Sequence, residues 1–250
     1  MNAMAIGGIV FACLFGGALL GMFLRAVLPE HHLSEDSKDL VKLGMGLVAT
    51  MSALVLGLLI ASAKSSYDRL SDDLTQISAN LILLDRVMAH YGPETKAARE
   101  LLRSSVADAL VQLWPEYNSR NRQLEPKAGS EDLYDKIHEL SPQNDAQRLR
   151  QAQALQFSTH LAQKHWLLIE QSGSSIPMPF VVLLTFWVTV IFVSFGLFAP
   201  SNTTVIVTLF VCALSVSGAI FLILELDQPF VGLIRIPTAP LRNALAHLGQ

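Results

Sequence analysis

The sequence contains few charged residues and only two cysteines. Charged residues make up 16% of its 250 positions and hydrophobic residues 51%, whereas ordinary soluble domains are about 25% charged. Residues 1–24, 43–63 and 171–224 carry no charge at all. This scarcity of charge excludes an ordinary soluble domain and predicts a membrane protein. Cys13 and Cys212 both fall in uncharged stretches, where we expect small packing residues and no redox or metal chemistry.

The sequence also lacks the motifs of an enzyme or of a nucleic-acid-binding protein. It has no phosphate-binding glycine loop, no nucleophile elbow and no cysteine pair with metal-ligand spacing. His31 and His32 are adjacent and would point apart on a helix, and the separation of His160 and His165 suits a single metal poorly. No basic tract is present. We therefore predict a protein that is not an enzyme, has no required cofactor and does not bind nucleic acid.

The uncharged stretches predict four transmembrane helices. A span needs about 20 apolar residues, so the first two stretches provide one span each. The third is interrupted at 199–202 by a turn-forming Ala-Pro-Ser-Asn cluster, which predicts a helical hairpin of 178–198 and 203–224. The predicted fold is an all-α integral membrane protein with a cytoplasmic helical layer between the second and third spans. Its regions are 1–63 (spans one and two), 64–176 (helical layer), 177–225 (hairpin) and 226–250 (cytoplasmic C-terminal segment).

Basic residues near the spans set the predicted orientation. Four spans place both termini and the segment 64–176 on one side of the bilayer, and the loops 25–42 and 199–202 on the other. Cytoplasmic loops carry an excess of Lys and Arg. The first side has the larger set, Lys64, Arg69, Lys164, Arg235 and Arg242, against Arg25, Lys38 and Lys42. We therefore expect a multi-pass protein of the bacterial inner membrane with cytoplasmic termini.

The second span is predicted to continue into the cytoplasm as one helix. Apolar or small residues recur from Ile60 to Tyr91 at alternating steps of three and four. This heptad spacing is typical of a helix that packs along a seam. Its members are Ile60, Ala63, Tyr67, Leu70, Leu74, Ile77, Leu81, Leu84, Met88 and Tyr91.

Glycine and proline divide the rest of the middle segment. Gly92-Pro93 is predicted to end the long helix and to open another over 93–114. Residues 115–130 are predicted to form a loop, and Ser141-Pro142 to start a helix that runs to about 170. The predicted apolar side of the 93–114 helix consists of Ala97, Leu101, Ala109, Leu110 and Leu113.

One face of the second span is small or polar across the bilayer. At about 100° per residue, seven positions share an arc of roughly 80°, with a lysine near each end. Small residues in membrane helices permit close helix packing. A small or polar face can also line a water-filled path, and cationic rings at its mouths would favour anions. The candidate pore-lining residues are Lys42, Gly46, Thr50, Ala53, Gly57, Ile60 and Lys64.

Two acidic residues follow the fourth span directly. Glu225 and Asp227, with Gln228 and nearby carbonyl groups, could provide ligands for a hard cation such as Ca²⁺. Two carboxylates are fewer than a full Ca²⁺ shell requires. The alternative is that they end the span and pair with Arg235 or with a neighbouring helix.

The sequence resembles the bacterial membrane family described as bestrophin-like. The resemblance extends over four segments: LPEHHLSEDSKDLVKLGMGLVATMSALVLGLLIASAKSSYD (28–68), LDRVMAHYGPETKAARELLR (84–103), PFVVLLTFWVTVIFVSFGLFAPSN (179–202) and LSVSGAIFLILELDQPFVGLIRIPTAPLRNALAHLGQ (214–250). It implies a distant relation to bestrophins, which are pentameric anion channels with four spans per subunit. In bestrophins the second helix lines the pore, a helical layer lies in the cytoplasm, and an acidic calcium site follows the fourth span.

Two functions of different classes follow from these features. The first is a homo-oligomeric ion channel for inorganic anions, a pentamer by the resemblance, with the second span around the axis. The second is a non-conducting membrane scaffold or sensor whose cytoplasmic helices bind a partner. In that alternative the heptad stripe is a dimer or trimer seam, and the small residues only permit close approach.

Overall fold

The computed structural model describes residues 2–28, 35–114, 130–171, 176–200, 202–230 and 232–250. Within these residues the chain forms eight α-helices and no strand, which confirms the predicted all-α class. A single 3-10 turn, Pro93–Thr95, precedes the third helix. The helices are α1 (Ala3–Val27), α2 (Glu35–Tyr91), α3 (Lys96–Leu113), α4 (Ser130–His138), α5 (Asp145–Gln171), α6 (Met178–Phe198), α7 (Thr203–Leu226) and α8 (Ala239–His247).

The chain divides into two compact units. The first comprises Met1–Ser66 and Ser174–Ile234, and the second comprises Tyr67–Gly173 and Arg235–Gln250. The boundary falls inside α2, which is a single uninterrupted helix. Four of the described helices, α1, α2, α6 and α7, are long and apolar enough to cross a membrane. The four predicted spans are therefore confirmed as helices, and α6 has the predicted bounds.

Glycines allow α1 and α6 to cross closely in the first unit. A Cβ on Gly21 would lie 2.9 Å from the backbone nitrogen of Leu197, and one on Gly196 would lie 3.0 Å from that of Met22. Carbonyl oxygens, of Val193 and of Ala18, lie closer still to these two positions. Small residues at such crossings let helix backbones approach each other in a bilayer, where packing drives association.

Apolar side chains from all four spans form the core of the first unit. Leu14 of α1, Leu184 of α6, Ile220 of α7 and Leu59 of α2 belong to one buried cluster. The two cysteines do not contribute to it, since Cys13 and Cys212 are both exposed on the single chain. The prediction that they are packing residues is therefore wrong for packing within the chain.

The heptad stripe of α2 is buried where the helix belongs to the second unit. The side chains of Leu70, Leu74, Leu84 and Met88 are almost completely inaccessible to solvent. Ile60, the first member of the predicted stripe, is exposed. The stripe therefore packs within the chain from Ala63 onward, and the prediction of a helix that continues past the span is confirmed.

The predicted apolar side of α3 is wrong for Ala97 and Leu101 and confirmed for Leu110. Ala97 is exposed and Leu101 is only half-buried, whereas a stripe with a spacing of four is buried. Residue n and residue n+1 are about 100° apart on a helix, so the buried face is rotated by about that angle from the line through Ala97 and Leu101. The buried residues are Ala98, Leu102, Val106 and Leu110.

The start of α5 also differs from the prediction. Ser141-Pro142 does not open the helix, which begins at Asp145. The Oδ1 atom of Asn144 accepts a hydrogen bond of 2.8 Å from the Gln147 amide. An asparagine that accepts from the third helical residue is an N-cap, so Asn144 provides the cap that we assigned to Ser141.

The C-terminal segment from Arg235 clusters with the second unit. The indole nitrogen of Trp114 donates to the carbonyl of Ile236 over 3.2 Å, and the Tyr67 hydroxyl donates to the carbonyl of Arg235 over 3.2 Å. Helices α4 and α8 were not predicted. Of the predicted loop 115–130, residues 115–129 lie outside the described residues, as does the pair His31-His32, and Ser130 is the first residue of α4.

Candidate functional site

The candidate lining residues occupy an exposed face of α2. All seven, Lys42, Gly46, Thr50, Ala53, Gly57, Ile60 and Lys64, are exposed on the single chain. Ser52, Leu59 and Ala63, on the opposite side of the helix, are buried. Only 11% of the most apolar stretch of α2 is buried, against 28–33% for the other three spans. The chain therefore leaves this face available to another molecule, to lipid or to water.

The glycines on this face do not serve packing within the chain. A Cβ on Gly46 or on Gly57 would meet no atom within 4 Å. Gly21 of α1 is the opposite case, because a Cβ there would collide with the backbone of α6. Close packing within the chain therefore uses Gly21 of α1 and not the two glycines of this α2 face.

The polar groups of the face have local partners. The Thr50 hydroxyl donates to the carbonyl of Leu47 over 2.8 Å, which leaves its oxygen as an acceptor. The ammonium of Lys42 lies 3.1 Å from Asp39 in an exposed ion pair, which partly offsets its charge. Lys64 also has an interaction partner.

A leucine-rich face lies beside the small face. Leu54 is 76% exposed and Leu43 75% exposed. At about 100° per residue this second face spans roughly the next 80° of the helix. The sequence contains its signal, a spacing of three and four, but we did not predict it. Its members are Leu40, Leu43, Leu47, Met51, Leu54 and Leu58.

Glu225, in the last turn of α7, has a structural role. Glu225 is buried, and its Oε2 atom accepts a hydrogen bond from the backbone nitrogen of Leu233. The same oxygen lies against Gly232, where a Cβ would collide with it. Glu225 therefore holds the segment after α7 against the end of that helix. Asp227 is also buried and has an interaction partner.

No group of three or more metal-ligating side chains occurs in the part of the chain that the structure describes. Oxygen-only sites for Ca²⁺ need six to eight ligands, and one oxygen of Glu225 is already occupied by a backbone amide. The Nδ1 atom of His160 lies 3.4 Å from the amide nitrogen of Asn80 in a hydrogen bond.

Four apolar helices that can cross a bilayer define the chain as an all-helical, multi-pass membrane protein. A family model of the Bestrophin-like domain matches residues 12–241. The chain belongs to the Bestrophin-like family. No match is found among curated proteins. The family supports a channel function in general terms and does not by itself identify the ion or the span that lines the pore.

Solved structures share the fold. Two variants of a bacterial bestrophin homologue from Klebsiella pneumoniae align with TM-scores of 0.65 and identities of 15% and 14%. They cover 95% of this chain and 98% and 99% of their own. A crystal structure described as a membrane protein has a TM-score of 0.66, 14% identity, and coverage of 96% and 99%. These likenesses show the fold, which extends over nearly the whole of each chain.

Proposed function

We propose that the chain is a homo-oligomeric ion channel, selective for inorganic anions, whose second span lines the pore. The observation that carries the proposal is the exposed small face of α2, which contacts nothing within the chain at Gly46 and Gly57. A small or polar face of a membrane helix can line a water-filled path. The family supports a channel in general terms. The proposed setting is the bacterial inner membrane, with cytoplasmic termini.

The neighbouring leucine-rich face supports the oligomer. Several copies arranged around an axis could direct the small face inward and pack the face of Leu43, Leu47 and Leu54 against the next copy. Side chains of 65–76% exposure would then find partners, and the pore would remain open. A dimer has too few α2 helices to surround a pore. Five copies are proposed from the resemblance to bestrophins.

The scaffold alternative needs the heptad stripe as a seam between subunits. Leu70, Leu74, Leu84 and Met88 are already buried within the chain, so a seam through them would require the second unit to open. This cost argues against the alternative. The channel proposal assigns no role to Ca²⁺, since Glu225 already accepts a backbone hydrogen bond, and it assigns no catalytic residue.

Anion flux into liposomes reconstituted with the purified protein tests the proposal. Gly57→Leu adds a large side chain to the proposed lining and should lower the flux at least several-fold with the oligomer intact. Gly218→Leu is the matched control, because a Cβ on Gly218 of α7 also meets no atom within 4 Å, and its flux should equal that of the wild type. Equal flux in both variants would reject α2 as the lining span. An intact wild type that conducts no ion under any condition would favour the scaffold.

Charge reversal at the two lysines should change ion selectivity. Two unit charges 4 Å apart interact by about 1 kcal/mol in water. Lys42→Glu and Lys64→Glu each replace a positive charge by a negative one, so each should lower the anion-to-cation permeability ratio by about tenfold or more. Reversal potentials in a salt gradient measure this ratio. Lys136→Glu, an exposed change on α4, is the control. Unchanged reversal potentials in both α2 variants would contradict the role of the lysines.

A further inference from the structure

A second candidate site lies in the second unit, where α2 turns into α3. A cavity of about 350 Å³ is located there, a size that accommodates a small ligand. We call it the basic pocket. It is lined by the turn at Gly92, by Gly249 near the end of α8, and by four charged residues of α3, which are Lys96, Arg99, Glu100 and Arg103.

The three cations of the basic pocket share one face of α3. Lys96, Arg99 and Arg103 follow the spacing i, i+3, i+7, which aligns side chains on a helix. They occupy the first two turns, where the helix macrodipole favours acidic residues and disfavours cations. The first turn of α3 contains no acidic residue, and Glu94 lies in the 3-10 turn directly before it. The cations oppose the dipole of α3, and a bound anion would add to the compensation that Glu94 provides.

Arg99 has donors that remain available. Its Nε and Nη2 atoms donate to Asp85 over 2.7 and 2.9 Å, and Nη2 also donates to the carbonyl of Gln250 over 3.0 Å. A guanidinium has five N–H donors, and the two on Nη1 of Arg99 have no acceptor among the described residues. Asp85 thus fixes the guanidinium of Arg99, while its Nη1 edge can still donate hydrogen bonds to a ligand.

The other two cations are not neutralised by a carboxylate. In the described part of the chain, neither Lys96 nor Arg103 forms an ion pair. The Nη1 atom of Arg103 lies 3.8 Å from the position of a Cβ on Gly249. Gly249 has a φ of 87°, a conformation that favours glycine. The backbone at Gly249 therefore comes close to the guanidinium of Arg103 and leaves the face of that guanidinium open.

Glu100 is the one carboxylate among the residues that line the cavity, and Asp85 is already engaged by Arg99. With the charge of Arg99 offset by Asp85, Lys96 and Arg103 remain beside Glu100 as two cations without an ion pair among the described side chains. The carboxylate of Glu94 lies against the lining residue Gly92. Guanidinium groups match the geometry of phosphate oxygens with paired donors, and a lysine adds a point charge. We propose that the basic pocket binds a phosphate group, carried either by a small soluble phosphorylated compound or by a lipid headgroup, through Lys96, Arg99 and Arg103.

Calorimetric titration of the purified full-length protein with inorganic pyrophosphate in a chloride buffer tests the site. Wild type should bind, and Lys96→Ala/Arg103→Ala should bind at least about tenfold more weakly, since two charged donors are lost. Arg86→Ala/Lys136→Ala removes the same charge from exposed positions outside the pocket and should bind like the wild type. Equal affinity in the two double variants, or no binding by a folded wild type at millimolar pyrophosphate, would overturn the proposal.

A variant that strengthens binding guards against misfolding as an explanation. Glu100→Gln removes the lining carboxylate and should tighten pyrophosphate binding about two- to fivefold, because repulsion of the anion is relieved. A loss of structure cannot produce tighter binding that disappears again when Lys96→Ala and Arg103→Ala are added. Weaker or unchanged binding by Glu100→Gln would contradict the assigned geometry.

The two sources of the phosphate can be separated in nanodiscs. If a lipid headgroup occupies the pocket, pyrophosphate should bind in discs of phosphatidylcholine alone and be displaced when phosphatidic acid is included. If the ligand is soluble, the affinity for pyrophosphate should be the same in both discs. Either result supports the site if pyrophosphate binding is lost in the double variant Lys96→Ala/Arg103→Ala. An affinity that the double variant leaves unchanged in both kinds of disc rejects it.

Discussion

Gly21→Leu is expected to prevent stable folding of the first unit. A side chain at this position would be forced into the backbone of α6, with the nitrogen of Leu197 only 2.9 Å from the added Cβ. Overpacking a core usually costs about 1–3 kcal/mol and occasionally more. Here a backbone and not a flexible side chain must yield, so a cost above about 3 kcal/mol is expected. The measurement is the yield of monodisperse protein after detergent extraction, together with its midpoint of thermal unfolding.

Gly16→Leu provides the matched control for this change. Gly16 lies on the same helix five residues earlier, and a Cβ there meets no atom within 4 Å. Since leucine has the higher helix propensity by up to about 1 kcal/mol, the control should be neutral or slightly stabilising. If Gly21→Leu were extracted with wild-type yield and stability, the close crossing of α1 and α6 would be incorrect.

Composition and periodicity were sufficient to predict the membrane helices. The long uncharged stretches correspond to helices α1, α6 and α7 and to part of α2, because the bilayer requires such stretches whatever their tertiary contacts. The residues that share the small face of α2 could be predicted one by one, since the helical period alone determines which side chains share a face. Its use as a pore lining stays a prediction.

Choices between adjacent residues were less predictable. The apolar face of α3 was assigned through Ala97 and Leu101, while the structure buries Ala98 and Leu102. Both pairs have the same spacing and similar hydrophobicity, so only the partners of the helix decide which pair is buried. Tertiary contact overrides a weak local pattern here.

Two local signals in the sequence indicate features that the predictions missed. Asn144 and Gln147 have the spacing of a capping box, and they mark the start of α5 better than Ser141-Pro142 does. Gly17 and Gly21 have the G-x-x-x-G spacing of closely packed membrane helices. The α2 face has related spacings of small residues, Gly46 with Thr50 and Ala53 with Gly57, yet its two glycines are open in the structure.

The buried pair of Asp85 and Arg99 could not be found from sequence, because its members are separated by 14 positions on two helices. The carboxylate of Asp85 is 1% exposed, and it accepts two hydrogen bonds from the guanidinium of Arg99, which is 20% exposed. The hydrogen bond to Asp85 raises the pKa of Arg99, although burial acts in the opposite direction. The pair therefore joins α2 to α3 inside the second unit.

Asp85→Leu is expected to destabilise the second unit by about 3–5 kcal/mol, the usual cost of removing one member of a buried ion pair. Arg99 would keep its charge without a carboxylate side chain as partner, and the amide of Gly249, which donates to Asp85 over 3.3 Å, would lose its acceptor. Thermal unfolding of the full chain, followed by circular dichroism, measures the loss. The raised pKa of Arg99 means that its contribution to the free energy of unfolding is complete below the ordinary pKa of arginine. That contribution is lost only when the pH rises above the raised pKa. The free energy of unfolding of the wild type should therefore not vary through this group between about pH 6 and 9.

The double variant Asp85→Leu/Arg99→Leu decides whether the cost comes from the unpaired charge. Replacing both members of a buried pair by apolar residues is often neutral or stabilising, so the double variant should recover most of the stability lost in Asp85→Leu. If the two losses simply added, the residues would act independently and the pair would not hold α2 to α3. Recovery of stability without recovery of pyrophosphate binding would further separate the structural role of Arg99 from its role as a donor in the basic pocket, because the leucine at position 99 restores packing but supplies no N–H.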